Sequence, residues 1–143
     1  MTSVHDVAAY ILKSRGPMTS MKLQKLVYYS QAWSLVWDEK AMFDEPIQAW
    51  VNGPVCPALY QVHRGKFEVD SIPGGDANAL TSTQIETVES VLGVYGTKSS
   101  QWLSDLTHTE RPWKDARQGL APDERGSSVI DLVSMAEYYG SLS

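Results

Sequence analysis

The stretch that decides the fold runs from Thr19 to Tyr60 and reads TSMKLQKLVYYSQAWSLVWDEKAMFDEPIQAWVNGPVCPALY. It carries three of the five tryptophans of the chain. Thr19 or Ser20 can cap a helix that should reach Trp37. Apolar and aromatic residues occupy more than one face of this helix, which is typical of a helix that neighbours cover on several sides. We therefore expect this helix at the centre of the fold.

Local signals predict further helices around this centre. Two capping boxes, at Ser3–Asp6 and Thr81–Gln84, each precede an apolar pattern of helical period. Pro57 suits the first position of a helix, where its missing N–H costs nothing. Ser99 or Ser100 can cap a short helix, and residues 107–113 are expected to form a loop that leads into a helical turn started by Pro112.

The last helix should follow a cap at Ser128–Asp131. Its inward-facing residues are expected to be Val129, Leu132, Val133, Ala136 and Tyr139. Residues 47–51 and 67–72 are candidates for short strands. The sequence thus predicts a mainly α, compact single domain over residues 1–143, with about six helices around the central one and at most a small two- or three-stranded sheet.

Composition limits the classes of function. The chain has 143 residues and a net charge of −5, and its basic residues are scattered. That pattern argues against a nucleic-acid groove, which needs clustered Lys and Arg. No signal peptide and no apolar run long enough for a membrane span is present, so we expect a soluble, cytoplasmic protein that does not contact a membrane.

No arrangement of residues in the sequence indicates a metal centre or a catalytic centre. The three histidines, His5, His63 and His108, are not at metal-ligand spacing. Phosphate-loop patterns and a paired-carboxylate motif are absent. The single cysteine, Cys56, excludes an internal disulfide. We therefore predict no cofactor, no metal ligand and no catalytic residue, and the chain is expected not to be an enzyme.

The motifs MKLQKLVYYSQAW (21–33), FDEPIQAW (43–50) and GPV with the following Pro57 and Tyr60 resemble the Panacea antitoxin domain. That family includes SocA-type antitoxins and phage-associated GepA-like proteins. The later segments HTE (108–110), PW (112–113) and YY (138–139) are similar to its C-terminal part. The resemblance extends over almost the whole chain, and the motifs are specific in combination.

This resemblance implies the antitoxin of a type II toxin–antitoxin system, which neutralises a cognate protein toxin by direct protein–protein interaction. The toxin would be encoded by an adjacent gene, and the antitoxin would form a homo-oligomer or a hetero-oligomer with it. SocA-type relatives imply an alternative, an adaptor that delivers the toxin to a protease. A regulator of its own operon is a further reading, against which the acidic charge weighs.

The candidate residues for toxin binding, or for a shared scaffold, lie in these motifs. Two Pro-ordered segments with aromatic residues, the GPV turn beside Trp50 and the 108–113 segment, are expected to lie near each other beside the central helix. Lys22, Lys25 and Tyr29 are expected to be exposed. The full set is Lys22, Lys25, Tyr29, Trp50, Gly53, Pro54, Val55, His108, Glu110, Pro112 and Trp113.

A hypothesis from a different class is a small hydrolase. It would use His108, Glu110 and Cys56 and requires these side chains to converge within hydrogen-bond distance. A cysteine near a helix start could then have a lowered pKa. Coordinates that separate the three groups would count against this hypothesis.

Overall fold

The longest helix of the structure, α2, spans Ser20–Trp37 and confirms the predicted central helix. The computed structural model describes residues 1–142. Its elements, in chain order, are α1 (Val4–Arg15), β1 (Met18–Thr19), α2 (Ser20–Trp37), β2 (Gln48–Trp50), β3 (Gly53–Val55), α3 (Pro57–His63), β4 (Glu68–Val69), α4 (Ser82–Tyr95), α5 (Ser100–Thr109), α6 (Arg111–Ala116) and α7 (Leu132–Leu142).

Helix α2 lies at the centre because its neighbours cover it on several sides. Helices α1, α4, α5 and α7 and strand β3 all pack against it. Its aromatic residues build a buried ring cluster, in which Tyr29 stacks on Tyr95 at 4.1 Å and meets Tyr139 edge-on at 6.0 Å. This arrangement explains why the apolar residues of the helix are not restricted to one stripe.

The predicted helix starts are present. Ser3 and Thr81 each accept a hydrogen bond from the third residue of their helix, and the side chain of that residue bonds back to the cap. Thr19 and Ser99 accept from the amides of Lys22 and Trp102. The described residues hold seven helices, which are α2 and six others, as predicted. Glu110 in extended conformation separates α5 from α6.

The strands are short and form two separate antiparallel pairs. Strand β1 pairs with β4, and β2 pairs with β3 in a hairpin. Gln48 also forms an isolated antiparallel bridge with Val129, so β2 is held on both edges. The mainly helical fold class with minimal sheet is confirmed. Among residues 1–142, no helix combines the length and hydropathy that a membrane span requires.

The prediction of the inward face of the last helix was partly wrong. Met135 and Tyr139 are buried, whereas Val129, Leu132 and Val133 are exposed. Val129 lies before the helix, in the extended segment that pairs with Gln48. Alternation in this segment turns Ile130 inward and Val129 outward. The following helix then packs through residues spaced four apart, which leaves its first turn exposed.

Candidate functional site

The β2–β3 hairpin places the GPV segment against the central helix. Trp50 is paired with Gly53 across the turn at residues 51–52. Gly53 has φ +122°, and a Cβ built on it would lie 2.5 Å from Cε of Lys25 and 3.0 Å from Oγ1 of Thr107. Only glycine meets both the backbone conformation and this close approach. Pro54 and Val55 are buried in the same strand.

Lys25 and Tyr29 are buried, so the prediction that they are exposed was wrong. Gly53 and Thr107 lie over the side chain of Lys25, and the hydroxyl of Tyr29 reaches into the core. Within residues 1–142 the Lys25 ammonium nitrogen has no hydrogen-bond partner. Burial lowers the pKa of Lys25 to about 7, because desolvation disfavours the charged form. Lys22 is half-buried, and burial lowers its pKa as well.

Glu110 is the acceptor at the centre of a buried hydroxyl network. Its Oε1 accepts hydrogen bonds of 2.7 Å from Tyr29 and from Tyr139. The Tyr139 hydroxyl also lies 3.0 Å from that of Tyr28. Burial raises the pKa of Glu110, although the two tyrosine hydroxyls partly oppose that shift. The carboxyl therefore links α2, the α5–α6 junction and α7, and its acceptor oxygen is committed to internal partners.

His108, Pro112 and Trp113 form the second motif segment, which is not the predicted loop. His108 lies in the last turn of α5, and the other two residues lie in the first turn of α6. The His108 and Trp113 rings are 4.1 Å apart, and Trp113 donates a hydrogen bond of 2.8 Å to the Trp50 carbonyl. The two aromatic motif segments thus lie together. Burial lowers the pKa of His108, and its Nε2 has no partner among the described residues.

The three groups of the hydrolase hypothesis form no catalytic constellation. No hydrogen bond joins Cys56, His108 and Glu110 to one another anywhere in residues 1–142. Burial raises the pKa of the Cys56 thiol, which disfavours the nucleophilic thiolate. The Gln24 amide binds both the backbone N–H and the carbonyl of Cys56, and it also bonds to Nε2 of His63. Over the same described range, no three His, Cys, Asp or Glu side chains could hold a metal ion.

A pocket of about 730 Å³ opens beside the hairpin. Trp50 and Tyr60 form one wall, with their rings 5.0 Å apart in an edge-to-face arrangement. The exposed guanidinium of Arg125 makes no hydrogen bond or ion pair within the described part of the chain. Apolar walls with a few free polar groups are typical of a binding site. The lining residues are Met21, Gln24, Gln48, Trp50, Val51, Asn52, Val55, Tyr60, His63, Arg125, Gly126 and Ser127.

Several pocket residues were not predicted as site residues. Gln24, Tyr60 and His63 lie in or near the family motifs. Gln24 is a polar residue in a largely apolar helix, and this could have indicated a buried hydrogen-bonding group. Arg125 lies in a connector with no motif, so nothing in the sequence placed it next to Trp50. Of the predicted site residues, only Trp50 and Val55 line the pocket, while the others lie behind or beside it.

The motif residues therefore define a helical domain in which the shared motifs build an internal scaffold and leave a pocket beside the hairpin. The family described as "Antitoxin SocA-like, Panacea domain" matches residues 23–114. This match spans more than half of the sequence, so the chain belongs to that antitoxin family. Comparison with curated proteins gave no match, and comparison with solved structures gave none either.

Proposed function

We propose that this protein is the antitoxin of a type II toxin–antitoxin pair, that it acts in the cytoplasm, and that it neutralises a cognate protein toxin by direct binding. The observation that carries the proposal is that most of the residues lining the pocket lie within the family match. Trp50, Val51, Asn52, Val55 and Tyr60 belong to the matched segment, and Met21 and residues 125–127 complete the lining from outside it. These residues give a partner protein an accessible recess on the family scaffold.

The chemistry of the pocket fits a protein partner. Trp and Tyr rings at a recess give large contact area and are frequent among residues that dominate binding energy. The Trp50 indole donates to Gln48 at 2.8 Å, which fixes the ring orientation before any partner arrives. A side chain held in its bound orientation loses little entropy on binding. Arg125 adds an unpaired positive charge at the rim.

The buried motif residues have a supporting role in this proposal. Lys25, Tyr29, Glu110 and Trp113 hold the hairpin and the helices in place and do not contact the toxin. Their burial supports a scaffold role for these motif residues. Lys22 is half-buried next to pocket residue Met21, and we retain it as a toxin contact.

Co-expression tests the proposal. The protein of the adjacent gene is induced in a growing culture, with or without this chain, and growth and complex formation by pull-down are measured. We expect growth arrest by the neighbour alone, rescue by this chain and a stable complex. Unchanged arrest, with both proteins present at equal levels, would contradict the proposal. The toxin's half-life distinguishes masking, in which the toxin persists, from delivery to a protease, in which it disappears.

A Trp50→Ala variant tests the pocket within the same assay. Trp102→Ala is a matched control, because Trp102 is also a partly exposed tryptophan but lies on α5 outside the pocket. Loss of a central aromatic anchor typically costs 2 kcal/mol or more, roughly a 30-fold loss of affinity. We expect Trp50→Ala to lose rescue and Trp102→Ala to retain it. Equal rescue by both variants would mean that the toxin does not bind through the pocket.

A further inference from the structure

A second groove, of about 290 Å³, lies between the segments 41–47 and 129–132. Its mouth carries exposed apolar side chains, with Val129 exposed to 56% and Leu132 to 43%. Val133 follows Leu132 in α7 and is exposed to 60%. Three of the nine large apolar residues exposed in the described chain therefore lie within five positions. Such clustering on a surface is typical of an interaction site rather than of scattered exposure.

Both walls of this groove are fixed by hydrogen bonds. The Ile130 amide donates to the Ile47 carbonyl at 2.8 Å, which ties the two walls to each other. The Gln31 side chain holds the other wall, because it donates to the Phe43 carbonyl at 2.8 Å and accepts from the Met42 amide at 2.6 Å. The groove is thus preformed, and binding would cost little reorganisation.

The charged residues that line the groove all have the same sign. They are Asp44, Glu45 and Asp131, and no lysine or arginine among residues 1–142 lines it. Asp44 and Asp131 are exposed, whereas one oxygen of Glu45 already accepts from the Val4 amide at 3.1 Å. The side chain of Asp131 also accepts from the Val133 amide at 3.1 Å, which fixes its carboxylate at the groove mouth. An apolar centre with an acidic rim complements a partner of the opposite pattern.

We propose that this groove, with Val133 beside it, binds an apolar side chain of the toxin flanked by Lys or Arg residues. This inference rests on the proposed function for the identity of the partner. A second copy of this chain fits poorly, since its net charge is −5 and an isologous contact would oppose two acidic rims. Nucleic acid and anionic membranes are repelled by the same charge.

Peptide binding tests the groove without the toxin. Three synthetic heptapeptides share a Leu-Val-Leu centre and carry a Lys-Arg, Ser-Ser or Glu-Glu pair on each side. Amide shifts of the ¹⁵N-labelled full chain are followed by NMR at about 20 mM and about 300 mM salt. We expect the basic peptide alone to shift residues 41–47 and 129–133, with affinity that falls at high salt. No shift at millimolar peptide, shifts elsewhere, or an equal response to the acidic peptide would overturn the proposal.

Variants separate the apolar contribution from the charge. Leu132→Ser together with Val133→Ser should weaken the basic peptide by about tenfold or more, since each side chain loses apolar contact. Val94→Ser is the matched control, because Val94 is exposed to 61% on α4 and does not line the groove. Asp44→Lys should remove the preference for the basic peptide over the neutral one. If the double-serine variant and the Val94→Ser variant bind the basic peptide equally well, the proposal is wrong.

The toxin assay then separates this proposal from the proposed function. Wild type that binds the basic peptide in the groove but fails to rescue growth contradicts the antitoxin function and supports the groove as a site for basic segments. Rescue that survives Leu132→Ser, Val133→Ser and Asp44→Lys overturns the groove as the toxin's binding site and leaves the antitoxin function intact. Loss of rescue in these variants, but not in Val94→Ser, supports both.

Discussion

Gly53 of the hairpin and Lys25 of the central helix approach so closely that no side chain fits between them. A Cβ on Gly53 would lie 2.5 Å from Cε and 3.1 Å from Nζ of Lys25. The absence of a side chain at one residue thus makes room for the long side chain of the other. This contact joins two family motifs, the GPV segment and the KLQKL helix.

Substitution of Gly53 by alanine should be strongly destabilising. The backbone conformation at φ +122° costs an L-residue roughly 1–3 kcal/mol, and the overlap with Lys25 adds to this. Gly74→Ala is the matched control, because Gly74 also has positive φ but nothing lies within 4 Å of its Cβ. Urea unfolding should show a larger loss for Gly53→Ala. Equal losses would mean that the approach to Lys25 is unimportant.

The buried amine of Lys25 predicts a specific pH dependence. Its pKa is about 7 in the folded protein against 10.5 as the ordinary value, so between these pH values the unfolded chain binds one more proton. The free energy of unfolding should therefore rise with pH across this window, by up to ~1.4 kcal/mol per pH unit. Below pH 7 the slope from this group disappears, and its full destabilising effect remains.

Lys25→Met isolates that contribution, because methionine keeps much of the length without the charge. We expect the variant to be more stable than wild type at pH 7 and this advantage to shrink toward pH 10 in urea unfolding. Taking the difference between the two proteins cancels the titration of other groups, including the buried tyrosines. Lys22→Met on the same helix should show a smaller change, since Lys22 is only half-buried. A constant difference across pH would contradict a neutral buried amine.

Local signals predicted much of the fold. The cap at Ser3 and the cap at Thr81 depend on side chains three residues apart, so the sequence contains all the information. The central position of α2 follows from apolar residues on more than one of its faces. The direction of Val129 could not be predicted, because it depends on pairing with Gln48, which is distant in sequence. Only tertiary contacts decide which side of such a segment faces the core.

The candidate site was less predictable for the same physical reason. Lysine is rarely buried without a partner, so the sequence favours an exposed Lys25. Its burial becomes visible only when Gly53 and Thr107 are placed over it. Arg125 likewise reaches the pocket through a connector that has no motif. The aromatic motif residues were found, but the surface they leave accessible depends on the complete packing.

Loss of the Glu110 acceptor should destabilise the core. Glu110→Ala leaves the Tyr29 hydroxyl without an acceptor, at a cost of roughly 1–3 kcal/mol, and leaves Tyr139 with the Tyr28 hydroxyl alone. Glu110→Gln is the matched variant, since it keeps an oxygen acceptor of the same reach and should cost less in urea unfolding. In a double-mutant cycle with Tyr29→Phe, the double variant should lose less stability than the sum of the two single losses. Full additivity would contradict a shared hydrogen bond.

Removal of the Trp113 hydrogen bond should loosen the hairpin more than the rest of the fold. Trp113→Phe keeps an aromatic ring but leaves the Trp50 carbonyl without the indole donor, a loss of roughly 0.5–1.5 kcal/mol. Hydrogen exchange measured by NMR should show faster exchange of the β2–β3 amides, while the amides of α4 change little. Trp102→Phe is the control, because the Trp102 side chain makes no hydrogen bond to the hairpin. If exchange increases uniformly in both variants, α6 does not hold the hairpin in place, and the pocket wall at Trp50 depends on other contacts.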